Sequence, residues 1–99
     1  MRDIRYVVVH LPGPRWAPGR SPFEQDGVRA HIDHYRALYE QGKLALGGPF
    51  LSPPGAVGMM VPAEGVTREE MEAHAAADPA VASGLIVYEV REWLIGMKQ

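Results

Sequence analysis

The 99-residue sequence contains no cysteine. Disulfide bonds, thiolate zinc sites and a cysteine nucleophile are therefore excluded, and this composition is compatible with the reducing cytoplasm, where we expect the protein to work. Long apolar runs are also missing, because the longest, around residues 7–9, is far too short to cross a bilayer. We therefore expect no membrane partner.

Neither sign of charge dominates. Ten basic and twelve acidic side chains give a formal net charge of -2, and Lys and Arg form no cluster. Because binding to nucleic acid requires several cations on phosphates, we expect no nucleic-acid partner. An early acidic residue, Asp3, and the Pro-Gly that follows the first apolar stretch do not fit a signal peptide, so we expect the mature chain to begin at Met1.

What is present is the composition of an ordinary globular protein, with 46% hydrophobic and 22% charged residues. This length suits one hydrophobic core, so we expect a single domain over residues 1–99. A domain of this size buries only about 65% of its unfolded surface, so a second copy would help to stabilise it.

The apolar pattern predicts four strands and two helices. The first strand is apolar on both faces, which indicates a central position, and Thr67 with Glu70 forms a capping box before the second helix. Strands are predicted over residues 4–11, 44–46, 57–61 and 85–90, and helices over residues 25–41 and 68–77. The order β-α-β-β-α-β predicts an α+β fold of the ferredoxin-like, split βαβ type.

His31 is the leading candidate for a functional residue. It lies three residues after Val28 and four before Tyr35, on the apolar stripe of the first predicted helix. Its imidazole is therefore expected to face the sheet. The pattern leaves two interpretations open, an active histidine or a core histidine with one hydrogen-bonding partner.

Asp78 continues the inward stripe that Met71 and Ala75 define on the second helix. A buried carboxylate needs a partner, and both helices pack on the same face of the sheet in this fold. We therefore predict a dyad in which Asp78 orients and charges the imidazole of His31. The alternative is a local turn-capping role before Pro79.

Two other histidines are weaker candidates. His10 ends the first strand on the face of Tyr6 and Val8, so it either approaches the same pocket or keeps its ring partly in water. His31 and His34 share a helix face and could ligate a metal, yet no third ligand has convincing spacing. We expect no metal and no cofactor.

The loop over residues 12–22 is longer than a typical βα connection of about two to six residues, which favours a lid or binding segment anchored by Trp16. Interface packing is the other interpretation of Trp16. Gly48 and Pro49 permit close approach of a ligand to the backbone, although a tight turn explains them equally well. The predicted substrate-binding residues are Trp16, His10, Gly48 and Pro49.

The motifs along the chain resemble those of the YCII-related (YciI-like) family. They are Pro-Gly-Pro-x-Trp at 12–16, Glu24-Gln25, His31, Gly42, Gly47-Gly48-Pro49, Asp78-Pro79, Gly84 and Trp93. The resemblance spans nearly the whole chain. Its most specific part is the spacing from His31 to Gly48-Pro49, followed by Asp78-Pro79. The Trp16 loop departs from shorter members, and the Pro53-Pro54-Gly55 turn departs from others.

The resemblance implies a dimeric α+β barrel, in which two ferredoxin-like sheets pack face to face as a homodimer. It also implies an active pair that maps onto His31 and Asp78. A few members of this family act on small hydroxylated aromatic rings, including a dehydrochlorinase, so the resemblance implies a site more firmly than a reaction.

The leading hypothesis is a small-molecule enzyme of lyase or isomerase type. His31 would act as general base or acid, Asp78 would orient it, and Trp16 would close the pocket. The competing hypothesis is a ligand-binding or accessory module without turnover, in which the same pair anchors a metabolite or stabilises the dimer. No serine nucleophile motif or nucleotide loop contradicts it.

Overall fold

A computed structural model describes residues 2–52 and 54–99. Position 53, in the predicted Pro53-Pro54-Gly55 turn, lies outside the described residues. The elements are β1 (Asp3–Pro12), a 3-10 turn (Pro22–Glu24), α1 (Val28–Glu40), β2 (Leu44–Pro49), β3 (Gly58–Pro62), α2 (Arg68–Ala76), α3 (Pro79–Ala82) and β4 (Ile86–Ile95). The predicted α+β class is confirmed.

The four strands form one antiparallel sheet in the order β2-β3-β1-β4. β1 lies between β3 and β4, as its two apolar faces predicted. It pairs with β4 along its whole length, from Asp3 opposite Ile95 to Pro12 opposite Ile86. β4 therefore runs well past the predicted end at residue 90.

The helices pack on one face of this sheet. Val8 and Met60 on that face contact Tyr35 of α1 and Met71 and Ala75 of α2 in a buried core cluster. The inward stripe predicted for the second helix is confirmed, and so is its capping box. None of the helices in the described part of the chain is long and apolar enough to span a bilayer.

α1 begins three residues later than predicted. Gly27 has a φ of 91°, in the left-handed region, and the chain enters the helix only after it. Gln25 belongs instead to the preceding loop. Its side-chain oxygen accepts a hydrogen bond from the backbone N–H of Ala17, and its side-chain NH₂ group donates to the carbonyls of Ala17 and Arg20.

The loop after β1 is anchored to the rest of the fold by backbone and side-chain hydrogen bonds. The amide of Gly13 donates to the carbonyl of Leu85, and that of Arg15 to the carbonyl of Gly84, both at 2.9 Å. With the Gln25 side chain, which is 3% exposed, these bonds tie both ends of the loop to the fold.

Candidate active site

His31 and Asp78 lie in hydrogen-bonding contact. Nδ1 of His31 is 2.6 Å from Oδ2 of Asp78, and the Asp78 side chain is fully buried, whereas that of His31 is 14% exposed. The two residues come from α1 and from the turn after α2, as the helix phases predicted. Because an ionised carboxylate only accepts, Nδ1 of His31 donates to Asp78. Nε2 is then the nitrogen left for a ligand.

Asp78 has a second partner on its other oxygen. Oδ1 accepts a hydrogen bond of 2.9 Å from the amide of Ala80, which makes Asp78 the N-cap of α3. Capping and pairing with histidine, the two predicted alternatives, therefore occur together. Burial alone would raise the pKa of Asp78, but the hydrogen bonds from His31 and Ala80 outweigh burial and hold that pKa below its usual range. The carboxylate is thus anionic at neutral pH.

His10 lies directly behind this pair. Its ring centroid is 4.9 Å from that of His31, in an edge-on arrangement, and its Nε2 is 3.4 Å from the hydroxyl of Tyr35. The expectation of a ring partly in water is wrong, because His31 and Tyr35 cover His10 and leave it 2% exposed. Burial, together with charge on His31, lowers the pKa of His10 to about 4, although Asp78 opposes this shift. His10 is therefore neutral at pH 7.

Tyr35 is a site residue that the sequence analysis treated only as part of an apolar stripe. It is 2% exposed, and its ring packs edge-on against His10, His31 and His74. Burial, and secondarily the charge of Asp78, raises the pKa of its hydroxyl. Its spacing of four residues from His31 on one helix was the available signal.

A pocket of about 700 Å³ opens beside His31, between α1 and the edge of the sheet formed by β2. The predicted substrate-binding residues His10, Trp16, Gly48 and Pro49 are among the residues that line it, while Asp78 lies behind His31. The rest of the wall is mostly apolar and includes Val28, Ile32, Val57, Met60, Leu85 and Ile86. Contact of these residues with a substrate stays a prediction.

His34 does not join His31 as a metal ligand. Its Nε2 donates to the carbonyl of His74 at 2.6 Å, and Nε2 of His74 donates to the carbonyl of His34 at 3.0 Å. The two rings stack with centroids 3.9 Å apart. The edge position of His34 on the helix therefore serves a contact between α1 and α2.

These features define a small α+β protein with a buried histidine–carboxylate pair at the wall of an apolar pocket. A sequence model of the YCII-related domain matches residues 5–94, and the chain belongs to the YCII-related family. The predicted resemblance is confirmed. No curated protein and no solved structure matches the chain.

Proposed function

We propose that this protein is an enzyme of lyase or isomerase type that moves a proton on a small molecule, with His31 as the general base and acid. The observation that carries this proposal is the 2.6 Å hydrogen bond between His31 and a buried, anionic Asp78 at the wall of the pocket. Such a carboxylate fixes the ring orientation and tautomer of a catalytic histidine.

The proposed chemistry starts with the lone pair on Nε2 of His31. This nitrogen takes a proton from a carbon next to a carbonyl group, and the charge that develops on the ring is stabilised by Asp78. In an isomerase, the proton returns to a different atom of the same molecule. In a lyase, the electron pair left on carbon forms a double bond and expels a leaving group on the neighbouring carbon.

The pocket suits a small, largely apolar substrate. Its volume lies within the range of about 300 to 1,000 Å³ that is typical of small-molecule sites. Apolar walls limit the access of water to His31, and so protect a transient carbanion from protons of the solvent. We propose that Trp16 covers the mouth and that His10, Gly48 and Pro49 contact the substrate.

We also propose that two copies form the homodimer of a dimeric α+β barrel, each copy supplying one ferredoxin-like sheet. The sheet face opposite the helices carries apolar side chains that water reaches. Leu46 is 63% exposed, Val87 45% and Trp93 43%, and their strand partners place all three on this face. A second copy of the same sheet would cover them and bury apolar area on both.

Deuterium exchange tests the proton transfer even while the product is unidentified. Small lactones, phenols and quinones are incubated with the protein in D₂O and followed by NMR. We expect enzyme-dependent loss of one carbon-bound proton signal or appearance of product. His31→Gln should abolish it in protein that still folds, and Asp33→Asn, an exposed change on the same helix, should retain it.

Full exchange in His31→Gln would contradict the role of His31. Compounds that shift the protein resonances but neither exchange protons nor react would instead support the ligand-binding module without turnover.

A further inference from the structure

His10, His31 and Asp78 form a cluster of three donors from three separate elements. One atom from each residue, a ring nitrogen or a carboxylate oxygen, lies within 4.8 Å of the other two. β1 supplies His10, α1 supplies His31, and the N-cap of α3 supplies Asp78. Ligands on one zinc ion lie roughly 3.3 Å apart. Side-chain rotations that move the donor atoms by about 1 Å would bring them to that spacing.

His10, one of the three residues, also has a ring nitrogen with no hydrogen-bonding partner in the described part of the chain. This nitrogen, Nδ1, is buried. An unpartnered polar atom in a protein interior is costly, and an ion bound to it would remove that cost. In contrast, His34 and His74 each use a ring nitrogen on a backbone carbonyl.

We propose that His10, His31 and Asp78 bind a divalent transition-metal ion of the zinc class. Two imidazoles and one carboxylate are a common donor set of zinc sites that keep a fourth position for water or substrate. The nitrogen donors disfavour Mg²⁺ and Ca²⁺, which prefer oxygen ligands.

The inference goes beyond the proposed function, because an ion bound to both His31 and Asp78 would replace the hydrogen bond between them. The metal-bound form and the hydrogen-bonded form are then alternative states of one site. Its test uses the full chain, treated with EDTA and then titrated with Co²⁺ and Zn²⁺. We expect one Co²⁺ per chain with the visible absorption of a tetrahedral ion, displacement of Co²⁺ by Zn²⁺, and a melting temperature that rises with the Zn²⁺ concentration.

The variants assign the ligands. His10→Gln should weaken binding of Zn²⁺ by more than about 100-fold, because the loss even of an outer-shell partner costs 10- to 100-fold. Asp33→Asn is the control, since it removes an exposed carboxylate of α1 outside the cluster and should leave the affinity unchanged. Should His10→Gln unfold, Asp78→Asn tests the same site through its carboxylate.

Absence of a one-to-one complex with either ion would overturn the proposal. Equal losses of affinity in His10→Gln and Asp33→Asn would also overturn it, because binding would then not depend on this cluster. Metal binding is measured without a substrate, and deuterium exchange is repeated in EDTA, so failure of the metal site and failure of the proposed catalysis are distinguishable.

Discussion

His34 and His74 each donate a ring N–H to the backbone carbonyl of the other, and their rings stack at an interplanar angle of 18°. This reciprocal pair joins α1 to α2 directly. His34 lies one helical turn after His31, and His74 lies four residues before Asp78. The stacked pair therefore braces the two segments that carry the candidate active site.

Acid should weaken this brace. Burial, and then charge on His34, lowers the pKa of His74, while the hydrogen bond to His34 and the charge of Asp78 partly oppose the shift. In the unfolded chain His74 takes up a proton with its ordinary pKa of about 6.5, whereas in the folded protein its pKa is lower. Stability from this residue is complete above pH 6.5 and falls as the pH drops below it.

Urea unfolding of metal-free protein at pH 7.5 and pH 5.5 measures this effect. We expect a lower free energy of unfolding at pH 5.5, and a smaller difference between the two pH values in His74→Gln. The difference should not vanish, because buried His10 also favours its neutral form. Equal pH dependence in the variant and the parent protein would show that His74 does not titrate on unfolding.

Asp78→Asn should separate the two roles of this side chain. The asparagine oxygen still accepts from the amide of Ala80, but its NH₂ group now faces Nδ1 of His31 and requires that nitrogen to accept. The proton of a neutral imidazole then moves to Nε2. On a substrate that the parent protein turns over, we expect a loss of rate on the order of 10² to 10⁴-fold.

Nitrogen-detected NMR of the His31 ring reports the tautomer in both proteins. Asp78→Ala is the contrasting variant, since it leaves both the amide of Ala80 and Nδ1 of His31 without a partner and should lower the free energy of unfolding by about 1 to 3 kcal/mol. An unchanged tautomer in Asp78→Asn would show that the carboxylate does not determine which nitrogen carries the proton.

Gly13 should not tolerate a side chain. A Cβ atom at this position would lie 2.3 Å from the carbonyl oxygen of Gly84 and 2.9 Å from the backbone of Leu85, neither of which yields easily. We expect Gly13→Ala to lower the melting temperature clearly. Gly48→Ala is the matched control, because a Cβ there has no neighbour within 4 Å and should change the melting temperature little.

Gln25 should matter more for folding than Trp16 does. Gln25→Leu leaves two carbonyls and the amide of Ala17 without their partner, which should cost about 1 to 3 kcal/mol. Trp16→Ala should reduce ligand binding more than stability. Melting temperatures of both, measured beside the core truncation Met71→Ala, check this. A loss in Trp16→Ala as large as in Met71→Ala would make Trp16 a core residue.

The proposed dimer predicts that Val87→Lys shifts the solution mass from two chains to one, because it places a charge on the open sheet face. Light scattering after size exclusion at micromolar concentration measures this. Ala37→Lys, on the exposed side of α1, should remain dimeric. A parent protein that is already monomeric would refute the dimer.

The contact between His31 and Asp78 was predictable because helical periodicity sets the direction of each side chain. Val28 and Tyr35 placed His31 on the inner face, while Met71 and Ala75 did the same for Asp78. Two helices packed on one face of a sheet then brought the two residues together. Local pattern and fold order therefore sufficed.

Features that depend on packing between distant segments were not predictable. His10 is buried because the rings of His31 and Tyr35 from α1 pack against it. Its position at the end of a strand does not predict these contacts. The α3 helix is a single short turn that arises from the capping of Ala80 by Asp78. Gln25 fits a helical pattern, yet it lies in the loop because its side chain makes hydrogen bonds with backbone groups eight and five residues earlier in the chain.

The two oxygens of the Asp78 carboxylate have different hydrogen-bonding partners, and this has a practical consequence. One oxygen holds His31 and the other holds the amide of Ala80, so any ligand or ion that draws the carboxylate away also perturbs that amide. The NMR chemical shift of the Ala80 amide and its rate of hydrogen exchange with solvent therefore report whether the site is occupied. Ligand libraries can be screened on this one signal before any reaction is known.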